Sequence, residues 1–310
     1  MAQVYIGNYA DGTVSVIDAE TNVVVNTIAV NNGPIGLAFL PNGTKAYVAN
    51  ILSGDVSVID TATGIVTSTV TVGSGPIGIA ISPDGTKAYV VNTFSATVSI
   101  INTANDTISS TISVGVNPYG IAITPDGSKA YVTDTSSASI SIINLSNNAV
   151  STKNISVSSA IVTITPNGNE AYISNSPYNT VTVINVSTNN VTHTVAVGTD
   201  PVGVAITPDG SSVYVVNTGG STGSISIIST SSHTVTSTIS VTTNPAGIAI
   251  MADGATAYIT DGSTTVSVLD LGTSTIVSTI TVGNTSEGMV NFILNNPPYY
   301  SSLISNWFGS

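Results

Sequence analysis

A tetrapeptide of the form Tyr-Val-x-Asn, with Ile and Asp as variants, recurs along the chain, and its spacing limits the possible folds. The seven copies begin at Tyr5, Tyr47, Tyr89, Tyr131, Tyr172, Tyr214 and Tyr258. The steps between them are 42, 42, 42, 41, 42 and 44 residues. A repeat of about 40–45 residues is typical of a propeller blade built from four strands. The sequence therefore predicts an all-β fold, a seven-bladed β-propeller with four antiparallel strands in each blade.

Each repeat shows the order of strands and turns that a blade requires. In one repeat the wholly apolar run from Ile77 to Ile81 predicts a buried inner strand. The turn Pro83-Asp84-Gly85 follows, because Pro presets φ and Gly accepts the left-handed conformation. After the tyrosine strand, residues 97–102 alternate as a half-buried strand does, and the Ser- and Thr-rich residues 107–114 predict an outer strand with a solvated edge.

The chain begins inside a blade and is predicted to end inside the same blade. The second, third and fourth strands of this blade are expected at residues 3–8, 13–18 and 23–30. Glu287 to Phe292 aligns with the inner-strand segment Ala246 to Ile250 of the preceding repeat. One C-terminal inner strand paired with three N-terminal strands would close the ring and remove two exposed sheet edges. The predicted propeller therefore covers residues 1–293.

Charged side chains are scarce and mostly acidic. The 310 residues include 16 Asp and Glu against 4 Lys and no Arg, which gives a net charge of -12. Phosphate binding depends on Lys and Arg, so this composition argues against nucleic acid and against anionic lipid surfaces. Apolar runs of about five residues are far shorter than the roughly 18 that span a bilayer, so we expect no membrane insertion. The absence of cysteine excludes disulfides, thiolate nucleophiles and Cys-based zinc sites.

Two features bear on localisation. Seven Asn-x-Ser/Thr sequons fit a secreted, glycosylated chain, although a chain this rich in Asn, Ser and Thr contains many by chance. Met1 and Ala2 lead directly into strand residues, without the basic end and apolar stretch of a targeting segment. We therefore expect a trimmed piece of a longer exported protein, located outside the cell or at its surface.

The repeats resemble the YVTN family of β-propeller repeats. The resemblance rests on Tyr89-Val90-Val91-Asn92 after Pro83-Asp84-Gly85 and on the in-phase copies of both, and it covers about residues 3–293. The sequence departs from the pattern at Ser159–Ile161 and at Ser286–Gly288, where Pro-x-Gly is replaced. Such repeats are typical of archaeal surface-layer proteins and other exported proteins. The resemblance therefore implies a structural or binding module whose partners are other surface proteins or glycans.

The acidic residues divide unequally between the two ends of the predicted ring. In a propeller of this strand order, the turns after the second and fourth strands share one face. This face is expected to hold Asp11, Asp55, Asp134, Asp200, Asp261 and Glu287. The other ten acids should lie on the opposite face with Lys45, Lys87 and Lys129. We call the first the cation-free face and expect it, on electrostatic grounds, to be the binding surface.

A candidate metal site follows from four of these acids, which belong to successive blades: Asp261, Asp11, Glu287 and Asp55. Glu287 occupies the middle of the Pro-x-Gly position, which should approach the mouth of the central channel. Carboxylate oxygens there could hold Ca²⁺ or another divalent cation, since Ca²⁺ takes six to eight oxygen ligands. The alternative is that the four are solvated acids in separate turns.

Ligand contacts are expected from side chains near the same mouth. Tyr119 occupies the same middle position as Glu287, and the two are the candidate ligand-binding residues. A sugar-binding module would need exposed aromatic rings on this face, for which Tyr119, Tyr178, Tyr9 and Phe94 are candidates.

No catalytic arrangement is evident. His193 and His233 are expected in outermost strands, far from the channel mouth, which argues against a Ser-His-Asp triad. The glycines punctuate turns and form no phosphate-binding loop, and the seven tyrosines are expected to pack in or between blades. Our interpretation is an extracellular structural or binding module. The alternative is a metal-assisted lactonase or polysaccharide lyase with its site at the channel mouth.

Residues 294–310 differ in character from the repeats. They contain the only Trp of the chain, Trp307, and two of its twelve Tyr. Aromatic residues outside a repeat either pack on their own ring or contact a partner. Pro297-Pro298 equally suits a linker to a further domain.

Overall fold

The seven repeats fold into seven antiparallel sheets of four strands each, which confirms the predicted seven-bladed β-propeller. The computed structural model of the chain describes residues 2–155, 161–220, 222–241, 244–284, 286–287 and 293–294. Within these ranges the helical content is one turn of 3-10 helix at Ser176–Tyr178. No helix among the described residues is long and apolar enough to cross a membrane.

The strands are numbered in chain order, and the blades are numbered from the one that contains the first strand. The inner strands of blades 2 to 7 are β4 (Pro34–Phe39), β8 (Pro76–Ile81), β12 (Pro118–Ile123), β16 (Val162–Ile164), β20 (Pro201–Ile206) and β24 (Ile248–Ile250). The second strands of blades 1 to 7 are β1 (Gln3–Asn8), β5 (Lys45–Asn50), β9 (Lys87–Asn92), β13 (Lys129–Asp134), β17 (Glu170–Asn175), β21 (Ser212–Asn217) and β25 (Thr256–Thr260). The third strands are β2 (Thr13–Asp18), β6 (Asp55–Asp60), β10 (Thr97–Asn102), β14 (Ser139–Asn144), β18 (Thr180–Asn185), β22 (Ser224–Ser229) and β26 (Thr265–Asp270). The outer strands are β3 (Val23–Ala29), β7 (Ile65–Thr71), β11 (Thr107–Ser113), β15 (Val150–Asn154), β19 (Asn190–Ala196), β23 (Thr234–Ser240) and β27 (Thr275–Thr281).

Blade 1 closes the ring with residues from both ends of the chain, as predicted. Its inner strand is described in two pieces, β28 (Ser286–Glu287) and β29 (Ile293–Leu294). The first pairs antiparallel with Gly7 and Asn8, and the second with Gln3 and Val4. Residues 288–292 of the predicted strand lie outside the described residues. So does the predicted tail 294–310, apart from Leu294.

The hydrophobic core lies between the blades. The described residues form seven buried clusters, and each draws side chains from two neighbouring blades. One example joins Tyr47 and Val56 of blade 2 to Val90 of blade 3. The cluster at the closing seam joins Val4 of blade 1 to Tyr258 of blade 7. Because every seam has its own core, the stability of the ring depends on blade-to-blade packing as well as on pairing within each sheet.

The repeated tyrosine also hydrogen-bonds across the seam. In three blades its hydroxyl donates to a side-chain oxygen in the next blade: Tyr47 to Asp106 (2.6 Å), Tyr131 to Asn189 (2.5 Å) and Tyr258 to Asn22 (2.8 Å). The accepting residues occupy the turn between the third and outer strands, with φ of 54°, 57° and 56°. Asn and Asp tolerate this left-handed conformation better than most residues. The predicted packing of the tyrosines between blades is therefore confirmed. In these three blades the hydrogen bond adds a directional contact between neighbouring blades.

One blade differs from the others at its outer edge. In six blades the outer strand carries a β-bulge, in which one extra residue is left unpaired. The bulged residues are Val25, Thr67, Ser109, Thr192, Thr236 and Val277. In blade 4, β14 and β15 pair in unbroken register. This missing residue accounts for the step of 41 residues between Tyr131 and Tyr172, where four of the other five steps are 42.

Substituting Tyr258 by Phe should destabilise the ring at its closing seam. The change removes the hydrogen bond to Asn22 and leaves a partly buried acceptor without its donor, at a cost of about 1 kcal/mol. Thermal unfolding followed by circular dichroism should show a melting temperature lower by about 2–4 °C at most in a chain of this size.

Tyr89→Phe is the matched control, because among the described residues the Tyr89 hydroxyl forms no hydrogen bond, although its ring is equally buried. Its loss of stability should be smaller. Equal losses in the two variants would contradict a stabilising role for the bond between Tyr258 and Asn22.

Candidate functional site

The cation-free face is formed where the turns after second strands meet the loops that enter inner strands. Hydrogen bonds join the two sets: Asn31 donates to Asp55 over 2.6 Å, and Ser176 donates to Asp200 over 3.2 Å. Each of the four lysines lies in a strand rather than in these turns and loops. Lys45, Lys87 and Lys129 each begin a second strand, at the opposite end of its sheet, and Lys153 lies in an outer strand.

Asp11 is an exposed carboxylate at the closing blade. It accepts hydrogen bonds from the backbone N–H of Asn284 (2.8 Å) and from its side-chain amide (3.0 Å). These bonds, the backbone one first, lower the pKa of Asp11 below its ordinary value. Asp11 therefore stays ionised at neutral pH and fixes the loop before β28 to the first turn of the chain.

Asp55 and Asp261 are buried and hydrogen-bonded within their own blades or to an adjacent loop. Asp55 accepts from Asn50 over 2.8 Å, in addition to its bond from Asn31. Asp261 accepts from the backbone N–H and hydroxyl of Ser263, at 3.0 and 2.8 Å, and from Thr265. Both carboxylates therefore hold turns in place.

The structure does not bring the described members of the predicted metal site together. Among the residues whose side chains are described, no group of three or more acidic or histidine side chains could hold a metal ion. Glu287 lies in β28 opposite Gly7, as its predicted place at the inner-strand entrance requires, and its side chain is outside the description. A cation site that includes Glu287 stays a prediction.

The described inner strands of blades 2 to 5 leave little room between them. A cavity of about 10 Å³ is lined by Gly36, Leu37, Gly78, Ile79, Gly120, Ile121 and Ile161. A single water needs about 10–15 Å³. A larger cavity of about 310 Å³ lies on the opposite face beside Lys87 and Asn102, but its other lining residues are small and neutral.

Apolar and aromatic side chains are displayed along one arc of the cation-free face. Phe94 is 69% exposed and Tyr178 is 62% exposed, while Leu52 and Val116 are also largely exposed. Tyr119 is half-buried at the inner rim and packs against the core between blades 5 and 6. The arc thus spans blades 2 to 5 and offers flat rings to a ligand, as sugar-binding surfaces do.

Asp134 is a site feature that sequence reasoning missed. It replaces the Asn that ends the second strand in five other blades, and it is 0% exposed. Its Oδ2 accepts from Ser141 (2.8 Å) and Ser139 (3.3 Å), while its Oδ1 accepts no hydrogen bond from the described residues. Burial raises the pKa of Asp134, and hydrogen bonds from Ser141, Ser139 and the Gly115 amide oppose this less strongly. A perturbed carboxylate is often functional, but this one is too deeply buried to touch a substrate.

The two histidines meet at the rim, where the sequence offered no sign of a contact. His233 lies in the turn before β23, not in the outer strand as predicted, and its Nε2 is 2.9 Å from Glu170 Oε1. The His193 ring stacks on it with centroids 3.8 Å apart. Glu170 also accepts from Tyr172 over 2.9 Å, and burial followed by this hydrogen bond raises the pKa of Tyr172. This cluster occupies the place of the tyrosine-to-turn contact of other seams, so it joins blades 5 and 6, far from the channel mouth.

The fold defines a class, that of seven-bladed β-propellers with four antiparallel strands in each blade. Residues 62–251 match the family model described as "Lactonase, 7-bladed beta-propeller". Since the match covers more than half of the chain, the protein belongs to this lactonase-type propeller family. No curated protein sequence matches the chain. The finer assignment to YVTN repeats of surface layers stays a prediction.

Solved structures share the fold at low sequence identity. A functionally unknown protein from Desulfotomaculum acetoxidans is 17% identical with a TM-score of 0.80, and the match covers 92% of this chain and 97% of the other. A Bacteroides uniformis protein provisionally named a 6-phosphogluconolactonase is 18% identical with a TM-score of 0.77, again covering 92% and 97%. Kuenenia stuttgartiensis hydrazine synthase is 21% identical with a TM-score of 0.73, covering 82% and 88%. At these identities the likeness concerns the fold alone.

Replacing Asp134 by Asn should stabilise the protein at neutral pH. The variant restores the Asn found in five other blades and removes a buried charge, which we expect to be worth about 1 kcal/mol. The Oδ1 atom is not the cause, since that of Asn50, Asn92 and Asn217 also lacks a partner among the described residues. The folded pKa of Asp134 is raised, so the penalty of the wild-type charge is absent at pH values below the unfolded pKa. It grows as the pH rises through the folded pKa. The difference in melting temperature should therefore be small at pH 3 and largest at pH 7.

The reciprocal substitution Asn92→Asp provides the control, since it places a carboxylate in the same buried position of blade 3. It should lower the melting temperature at pH 7 and have less effect at pH 3. A lower melting temperature for Asp134→Asn at pH 7 would show that the ionised carboxylate is itself stabilising.

Proposed function

We propose that the protein hydrolyses uncharged, hydroxyl-rich lactones at the cation-free face. The observation that carries this proposal is the match of residues 62–251 to the lactonase propeller family. A ring of seven sheets supports this proposal, because its turns and loops would present polar groups to a small ligand at the channel mouth.

The charge of this face favours a neutral substrate. Phosphate groups are bound by Arg and Lys or by helix N-termini. The chain has no Arg. Lys45, Lys87 and Lys129 begin second strands at the opposite end, and the Lys153 ammonium donates to Asn190 in an outer strand. A phosphorylated lactone would meet the carboxylates of Asp11 and Asp200 without a compensating cation, so it should bind weakly.

Glu287 and Tyr119 are the candidate residues for the reaction. A carboxylate at the mouth would accept a proton from water as the water oxygen attacks the lactone carbonyl carbon. The ring C–O bond then breaks, and the proton passes to the leaving oxygen. A hydroxyl donor such as that of Tyr119 would stabilise the negative charge that develops on the carbonyl oxygen. In the alternative, a divalent cation bound by Glu287 and Asp11 would polarise the carbonyl instead.

A second candidate function is binding without catalysis, in an exported module that recognises glycans or other surface proteins. The specific support is that Asp55 and Asp261 are buried and engaged in turn hydrogen bonds, while Phe94 and Tyr178 are exposed. Exposed rings on a rigid platform recognise sugars by stacking.

Purified protein should release acid from an uncharged aldonolactone, measured by pH-stat titration, and act more slowly on its 6-phosphorylated counterpart. Glu287→Gln should lower kcat about 10²–10⁴-fold, the usual loss for a general base. Asp84→Asn is the matched control on the opposite face, where another repeat already has Asn42 in the equivalent turn. It should leave the rate unchanged. Sugar binding without turnover would favour the second candidate, and faster turnover of the phosphorylated lactone would contradict the neutral substrate.

Adding Ca²⁺ separates the metal-assisted mechanism from the metal-free one. If Glu287 contributes to a cation site, Ca²⁺ at a hundredfold excess over Kd should stabilise the folded protein by about 2.7 kcal/mol. Thermal unfolding would show this as a rise in melting temperature that Glu287→Gln abolishes and Asp84→Asn does not. An unchanged melt, with the hydrolysis rate also insensitive to chelator, would exclude a role for the metal.

A further inference from the structure

The outer strands form the exposed edges of the seven sheets, and they carry almost no charge. Among the residues that the structure describes, none of the seven has a further strand paired outside it. Their sequences are rich in Thr, Ser, Val and Ile and contain no Asp, Glu or Arg. Uncharged edges of this composition are templates for pairing with another chain. A molecule with seven such edges needs some means of preventing association.

Six of the edges are protected by their bulges. A β-bulge increases the local twist and interrupts the regular row of backbone groups, so that a second strand cannot pair along it. In blade 3 the extra residue of the bulge, Ser109, also contacts the third strand, because its hydroxyl donates to the Ile100 carbonyl over 3.1 Å. The regular edge of blade 4 has no such interruption.

Blade 4 instead has a lysine at a position where every other blade has an aliphatic residue. The position is the outer-strand residue opposite the second residue of the third strand. It is occupied by Ile28, Val70, Ile112, Lys153, Val195, Ile239 and Ile280. The six aliphatic residues are buried, whereas Lys153 is half-buried and its ammonium donates to Asn190 of blade 5 over 2.9 Å. One of only four cations in the chain therefore stands on its one described outer edge without a bulge.

A charge at this place opposes strand addition. A strand added outside β15 would cover part of the Lys153 side chain and desolvate its ammonium. In a two-fold pair of such edges, the Lys153 side chains of both copies would lie on the same face of the joined sheet. Like charges on one face of a sheet are destabilising, and burying a charge without a partner costs more.

We propose that the outer edge of blade 4 is the surface through which two copies of this chain are able to pair, and that Lys153 prevents this pairing in place of the missing bulge. The occupant of the edge is the blade 4 edge of a second copy, because it is the described outer edge that no bulge interrupts.

Lys153→Ile tests the proposal, since Ile is the residue at this position in four other blades. Sedimentation velocity over a wide concentration range should show the wild type as a monomer and the variant as a reversible dimer. We expect self-association at least about tenfold tighter than in the wild type. A variant that stays monomeric, and melts higher because its core is better filled, would overturn the proposal.

Three matched variants locate the effect. Lys153→Glu keeps a charge at the edge and should stay monomeric. If it associates as strongly as Lys153→Ile, the loss of packing rather than of charge is responsible, and the proposal fails. Inserting one Ser after Ser151 in the Lys153→Ile protein restores the repeat of the other blades, and with it the bulge, and should return the monomer. Persistent association would show that the contact lies elsewhere. Lys87→Ser removes the same charge at a position where blade 6 has Ser212, and should not associate.

Discussion

The close approach of inner strands at the ring axis is the constraint on which the rest of the structure depends. A β-carbon on Gly36 would lie 1.8 Å from the Ile77 carbonyl oxygen of the next blade, and one on Gly78 would lie 2.5 Å from that of Tyr119. Only Gly permits such contacts, which explains the glycine of the Pro-x-Gly repeat. Blade 5 has Ile161 at this position, and there the Val202 carbonyl of blade 6 accepts a hydrogen bond from Ser174 over 2.7 Å. At Gly36 and Gly78 the missing side chain leaves room for the backbone of the next blade. In blade 5 the Ser174 hydroxyl binds the carbonyl of the next blade instead.

The same convergence determines where a ligand could bind. Because the described inner strands are mostly apolar, the candidate charged groups lie in the turns at either end. On the cation-free face most of the described carboxylates support the turns, Asp11 at the closing blade and Asp55 beside Asn31. The lactonase proposal therefore depends on Glu287, the acid that enters at the inner rim of the one blade built from both chain ends. In this proposal, the candidate catalytic acid lies in the same blade that closes the ring.

Much of the fold could be predicted from the sequence because its signals are local and repeat seven times. The strand order, the closing blade and the two faces all follow from the spacing of tyrosines, prolines and glycines. The contacts that could not be predicted join residues of different blades. Lys45 meets Asp106, whereas Glu170, at the same position three blades later, meets His233. Finding such pairs requires knowledge of which turn faces which strand. The sequence shows the Asp variant at Asp134 and the 41-residue step, but the burial of Asp134 and the regular pairing of β15 beside Lys153 required the structure.

The closing blade also has a consequence for the protein under load. Gln3 pairs with Leu294, and the two strands run antiparallel, so the start of β1 and the end of β29 lie at the same end of the sheet. A force applied between Gln3 and Leu294 would break the hydrogen bonds between β1 and the inner strand one after another, starting at this end. It would not load all of them at once in shear. Resistance to pulling would then be set by single bonds and by the side chains packed across the seam, such as Tyr258 on Asn22. A tether to the rest of an assembly through both ends would make blade 1 the first to yield.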